Sequence, residues 1–221
     1  MTYGDAFRLP ARPTSPIKSL ADAKAHGGEV TIVYSFLDAI RIARLNPNKN
    51  YIFFAIGFET TMASTAEPLV RRFIPRNLMI LSAYRFTPPI VKWLIETEKD
   101  LEIHGVIAPG HVSSVIGASA WKFLVNEYSI PTVVAGFEPL DVLLAIVFIL
   151  HQIVRGKPKL INEYLRVVRD EGNVYAKRLI TKVYDVVDAY WRGIGIVPMS
   201  GAALKDEYSE FCLLYTSPSP R

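Results

Sequence analysis

One cysteine in 221 residues, Cys212, excludes an internal disulfide and a cysteine-rich metal cage built by this chain alone. Any thiolate chemistry has to come from outside the sequence, and a reducing compartment is expected. Long apolar runs are also missing. The longest, Val142 to Leu150, falls well short of the roughly 20 residues that cross a bilayer. The start, Met1-Thr-Tyr-Gly-Asp5, lacks the charged and apolar regions of a signal peptide, so a cytoplasmic location is expected. There is no Gly-x-x-x-x-Gly-Lys-Ser/Thr or Gly-x-Gly-x-x-Gly loop and no Gly-x-Ser-x-Gly elbow, which leaves nucleotide binding and serine hydrolysis without a positive motif. The net charge is only +4, and Arg71, Arg72, Lys157, Lys159, Arg166, Arg169, Lys177 and Arg178 are scattered among acids. That dispersal marks solvated helix faces rather than a nucleic-acid groove.

What is present is apolar material, 50% of the chain against 21% charged, enough for one ordinary domain or two small ones. Short apolar runs alternate with amphipathic stretches. Strands are expected at Val30–Tyr34, Tyr51–Ile56, Leu78–Tyr84, Gly105–Ala108 and Thr132–Ala135. Helices are expected at Phe36–Leu45, from Thr60 or Thr61 to Phe73, from Pro88 or Pro89 onward, over Ser113–Tyr128 and over Pro139–Val154. This alternation predicts an α/β fold with mostly parallel sheets and flanking helices. Beyond Gly156 only helix is expected, over Leu160–Arg169 and Val174–Trp191, with Ile194–Val197 as a return to the sheet.

Two tripeptides repeat, Gly57-Phe58-Glu59 and Gly136-Phe137-Glu138, each directly after an expected strand. In a parallel sheet both stand at the carboxyl edge, where open α/β folds place ligands. Thr60 and Thr61 follow the first tripeptide and Pro139-Leu140-Asp141 the second. Each reads either as helix-start chemistry or as a ligand-facing rim, and Glu59 with Glu138 as a pair suits a metal or a partner's cation. Pro109-Gly110-His111-Val112-Ser113 is expected on the same rim, with His111 as metal ligand, proton carrier or hydrogen-bonding strut. His26, His104 and His151 have no partners at ligand spacing.

Thr2-x-Gly-Asp5, Gly57-Phe-Glu-Thr-Thr61, Pro109-Gly-His-Val-Ser113 with Gly117, Pro131-Thr-Val-Val-Ala-Gly-Phe-Glu-Pro-Leu-Asp141 and Trp191-Arg-Gly-Ile-Gly195 occur together in order and spacing that resemble the HypD family of hydrogenase maturation proteins. The resemblance runs from Thr2 to Phe211. It implies an iron-sulfur scaffold of two related α/β domains and a cysteine-rich C-terminal region holding a [4Fe-4S] cluster. With HypC and HypE type partners, that scaffold assembles the Fe(CN)2CO moiety of [NiFe]-hydrogenase and is not itself an enzyme. The family's Cys-Gly-Thr-His and Gly-Pro-Gly-Cys-Pro-Val-Cys segments do not occur here, so the chain is expected to be an internal fragment that binds no cluster alone.

On this basis residues 1–48 are the end of a truncated first α/β domain, whose strand at Val30 lacks neighbours. Residues 49–200 are a Rossmann-like second domain. Residues 201–211 begin the cysteine-rich region, and 212–221 are a linker-derived tail. Glu59, Thr60, Thr61, His111, Ser113, Glu138 and Asp141 are the expected rim, bonding to iron-bound ligands or docking a partner, with no metal ligand among them. A cluster-free interaction module and a small-molecule α/β enzyme are the alternatives. Met62-Ala63 and Leu9-Pro10-Ala11 depart from the family pattern of Ala-Pro and Val-Pro-Gly.

Overall fold

The structure, a computed structural model, describes residues 1–98, 100 and 102–213. The expected tail at 212–221 therefore lies outside the described residues except for Cys212 and Leu213. The chain divides into two compact units, one of residues 1–85 with 179–221 and one of residues 86–178.

In the first unit, β1 (Thr2–Tyr3), β2 (Ile32–Val33), β3 (Tyr51–Gly57) and β4 (Leu78–Tyr84) form a parallel sheet in the order β2-β1-β3-β4. The sheet runs across position 48. The strand at Val30 does have a neighbour: Ile32 and Val33 pair with Thr2 and Tyr3, while Thr2 pairs with Phe54 on the other side. Thr2-Tyr-Gly-Asp thus begins with a strand between two others, a two-residue length too short to give a periodic signal.

Between these strands lie α1 (Leu20–Ala25), α2 (Phe36–Leu45) and α3 (Glu59–Val70). The α2 start is fixed by a capping box in which Ser35 and Asp38 each bond the other's backbone N–H. Phe36, Ile40 and Ala43 bury its inner face, and the Phe36 ring lies 4.8 Å from Phe53 of β3. Met62 is fully buried in α3, so the departure from the family pattern there fills the core.

The second unit carries β5 (Val106–Pro109), β6 (Thr132–Ala135) and β7 (Leu160–Asn162), a parallel sheet in the order β5-β6-β7. All of β6 is buried because both faces are covered. On one side Trp121, Leu124 and Val112 pack on Val134. On the other, Ala145 and Ile149 of the next helix cover Val133 and Ala135. The helices are α4 (Thr87–Thr97), α5 (Gly110–Ile116), α6 (Lys122–Asn126) and α7 (Pro139–Arg155), and a 3-10 turn at Ala118–Trp121 joins α5 to α6.

The α/β expectation holds, and the last third of the chain departs from it. Leu160–Arg169 is not a helix: it opens as β7, paired with Thr132–Val134. Val174–Trp191 splits into α8 (Val174–Val183) and β8 (Tyr184–Trp191). Strand β8 forms an antiparallel hairpin with β9 (Gly195–Leu204), so Ile194–Val197 joins no parallel sheet. The β-branched residues and aromatics Val186, Val187, Tyr190 and Trp191 prefer a pleated strand, and Gly193 and Gly195 with positive φ turn the chain. Residues 201–211 complete β9 and form a 3-10 turn at Asp206–Phe211, tied to the first unit by Arg72, whose guanidinium pairs with Glu210 at 2.7 Å. Among the described residues, no helix is long and apolar enough to cross a membrane.

Candidate functional site

The expected single rim is divided between two sheets. Glu59, Thr60 and Thr61 follow β3 in the first unit, whereas His111, Ser113, Glu138 and Asp141 follow β5 and β6 in the second. The two Gly-Phe-Glu tripeptides also differ in register. Phe58 is the N-cap of α3, placing Glu59 inside the first turn, while Glu138 is itself the N-cap of α7. Glu59 is consequently 1% exposed and the Glu138 side chain 77% exposed. The second helix starts one position later relative to its tripeptide, at Pro139, since proline suits the first helical position. The glutamates are not an equivalent pair.

At the first edge, the Thr61 hydroxyl donates to the Phe58 carbonyl at 2.9 Å, closing the start of α3. The Thr61 carbonyl accepts from Thr65, whose hydroxyl is 2.5 Å from the Tyr84 hydroxyl. Burial pushes the Tyr84 phenol well above its ordinary pKa. Thr60 is half-buried, and the Phe58 side chain is exposed, 6.3 Å from the Trp191 ring. This edge offers a Thr60 hydroxyl and an aromatic surface beside a buried carboxyl group.

The second edge is built around residues that the sequence reading missed. Asp141, almost wholly buried, accepts from the Arg166 guanidinium at 2.6 Å, and Arg166 also lies 3.6 Å from Glu138. The Arg166 hydrogen bond holds the Asp141 carboxyl below the usual carboxylate range, with the Glu138 backbone N–H adding to the effect. Arg166 in turn lies over the Tyr164 ring at 4.4 Å. Tyr164 also stands close to two motif glycines. A Cβ on Gly136 would meet the Asp141 carboxylate and, at 2.8 Å, Tyr164, and a Cβ on Gly110 would meet the Ala135 carbonyl oxygen and, at 2.6 Å, Tyr164. A side chain at either position would collide with these neighbours. In sequence Arg166 reads as one of the scattered surface cations, because the short strand β7 that precedes it gives no periodic signal.

Ser113 is fully buried. Its hydroxyl donates to the Pro109 carbonyl at 2.8 Å and accepts from Trp121 Nε1 at 2.9 Å, so it braces α5 against the 3-10 turn. His111 is exposed, with its ring 4.8 Å from that of Phe137. Desolvation by its surroundings lowers its pKa, which favours the neutral ring, with one N–H donor and one lone pair. Among the described residues, no three His, Cys, Asp or Glu side chains gather to hold a metal ion. The second edge therefore presents His111, Phe137 and Glu138, with Ser113, Asp141 and Arg166 as their supports.

Phe137 continues into an apolar surface. Along α7, Leu140, Leu143, Val147, Leu150 and Val154 are all exposed at alternating steps of three and four residues, while Ala145, Ile149 and Gln152 face the sheet. Three-four spacing is the seam by which one helix receives another.

A protein-family comparison matches residues 1–215 to the HypD model, described as a hydrogenase formation hypA family. Curated relatives include the hydrogenase maturation factors HypD of Escherichia coli, 40% identical over 213 residues, HypD2 of Bradyrhizobium diazoefficiens, 38% over 217, and HypD of Cupriavidus necator, 37% over 219. Each alignment covers 95% of this chain and 56%, 56% and 57% of the respective relative. The chain thus spans a little over half the length of these relatives.

Proposed function

Because the chain belongs to the HypD family of hydrogenase formation proteins, we propose that it is a segment of a non-enzymatic cytoplasmic scaffold on which the Fe(CN)2CO moiety of [NiFe]-hydrogenase is assembled with HypC and HypE type partners. The observation that carries this reading is the family match over residues 1–215, with Gly57–Thr61, Gly110–Ser113 and Gly136–Asp141 at the carboxyl ends of parallel strands. The iron is cargo, bound by soft donors supplied by the remainder of the scaffold. On this reading His111 donates a hydrogen bond to an anionic ligand of that iron. Glu138 accepts protons or holds a partner's cation, while Asp141 and Arg166 fix the loop that carries it.

The family's [4Fe-4S] cluster does not fit the residues of this chain. A cubane needs four thiolates, and the single cysteine here, Cys212, is buried and bridges to Ile80 of β4. No step is assigned to a cluster on these residues.

A second reading treats the second edge as a docking surface, favoured by the exposed Phe137 and the apolar seam of α7. A chimaera separates the two. In it, residues 1–215 of this chain replace the matched span of the Escherichia coli relative, and hydrogenase activity is measured in a strain lacking its own HypD. The scaffold reading expects His111→Ala and Glu138→Gln to lower activity while the partners still co-purify. Loss of the partners instead supports docking, and full activity in both variants rejects a rim role.

A further inference from the structure

The first unit contains a concavity of ≈ 880 Å³ that no part of the scaffold reading uses, lined by Pro10–Thr14, Lys18, Tyr190, Arg192 and Gly193. Three of these residues are cations and none is an acid. Arg192, at the tip of the β8–β9 hairpin, donates to the carbonyls of Pro10 and Ala11. The Lys18 ammonium donates to the carbonyls of Pro13 at 3.0 Å and Ser15 at 2.7 Å. Arg12 stands 5.8 Å from the centre of the Tyr190 ring. Carbonyl oxygens satisfy donors without cancelling charge, and among the described residues none of the three cations forms an ion pair. The concavity keeps its positive charge unmatched.

The wall is also preorganised. Ala11 N–H bonds to the Lys18 carbonyl at 2.7 Å and Ser15 N–H to the Arg12 carbonyl at 2.9 Å, so the loop is closed by its own backbone. Pro10, Pro13 and Pro16 restrict the segment further, which reduces the entropy lost when a ligand is seated. Arg192 is anchored at the Pro10–Ala11 end and Lys18 at the Pro13–Ser15 end, with Arg12 between. Charge is therefore spread along the wall instead of focused on one point. That pattern matches carboxylates spaced along a chain better than a single compact anion, and Tyr190 adds an aromatic face.

We propose that this concavity seats an acidic peptide segment of a partner protein, its carboxylates meeting Arg12, Lys18 and Arg192 and an aromatic or apolar side chain meeting Tyr190. The test is fluorescence anisotropy of the whole chain with a fluorescein-labelled peptide of alternating Glu and Tyr, at low and moderate salt. Saturable binding is expected that weakens with salt and vanishes when every Glu of the peptide is Gln. Arg12→Glu should weaken binding about tenfold, whereas Lys157→Glu, the same charge change in the other unit, should change it less than about twofold. Arg192 also anchors the loop, so Arg12, exposed and stacked only by Tyr190 among the described residues, carries the decision. Equal weakening by Lys157→Glu, undiminished binding of the Gln peptide, displacement by equimolar inorganic pyrophosphate, or no binding at all would each overturn the proposal.

Discussion

Replacing Ser113 with alanine should destabilise the protein through Trp121 rather than through any lost ligand contact. Both side chains are fully buried, and the Ser113 hydroxyl is at once the acceptor for the indole N–H at 2.9 Å and the donor to the Pro109 carbonyl at 2.8 Å. A buried donor left without a partner costs about 1–3 kcal/mol, and the lost bond to Pro109 adds roughly 0.5–1.5 kcal/mol. The sum, about 1.5–4.5 kcal/mol, corresponds at the melting point to some 2–4 °C per kcal/mol for a chain of this size. Trp121→Phe removes the donor, so in that background Ser113→Ala should cost only the Pro109 bond. Urea unfolding of the wild type, the two single variants and the double variant gives the coupling directly, and it should be about 1–3 kcal/mol. A coupling below about 0.5 kcal/mol, the scatter of independent sites, would refute the brace and return Ser113 to the set of ligand-facing candidates.

Asp141 gives a pH prediction. Its folded pKa is lowered by Arg166, so its contribution to stability is present above the unfolded value and is lost as pH falls through the folded one. The stability difference between wild type and Asp141→Asn should shrink below about pH 4, measured by urea midpoints across an acid series; a constant difference would contradict the Arg166 pair. The Tyr184 hydroxyl is buried with no hydrogen-bond partner among the described residues, so Tyr184→Phe should be neutral or stabilise by up to about 1 kcal/mol. A marked loss of thermal stability would show that the hydroxyl has a partner. Val147→Lys, on the exposed seam of α7, should leave the urea midpoint within the equivalent of about 0.5 kcal/mol while weakening partner pull-down by the chimaera. Undiminished pull-down would exclude the seam as a docking face.

The parts of the fold that could be read from the sequence are those with local punctuation. Helix α2 runs from Phe36 to Leu45 as expected because Ser35 and Asp38 fix its start and Asn46-Pro47 ends it. Helix α7 is equally well marked, by Pro139 at its first turn and by Gly156 in the left-handed conformation at its end. The join of α8 to β8 has no such mark. Val183 passes directly into Tyr184, and Leu179, Val183, Val187 and Tyr190 satisfy a helical period even though the later ones lie on a strand. Pairing with β9, a tertiary contact, decides the outcome.

The site follows the same division. The loops that carry the motifs were legible because glycine and proline mark strand ends. Which side chains face outward was not, because one residue of register separates buried Glu59 from exposed Glu138. Arg166 and Tyr164 were missed with β7, the three-residue strand that brings them to the edge. The division of the expected rim between two sheets depends on strand order, which local pattern does not encode.

The most direct test of the scaffold assignment is an infrared spectrum of the purified chimaera, carrying residues 1–215 of this chain within the Escherichia coli relative and isolated with its HypC type partner. The account predicts absorption bands of iron-bound cyanide and carbon monoxide, reduced by His111→Ala without loss of the partner. A partner-bound chimaera that is folded and iron-loaded yet shows neither band would contradict it.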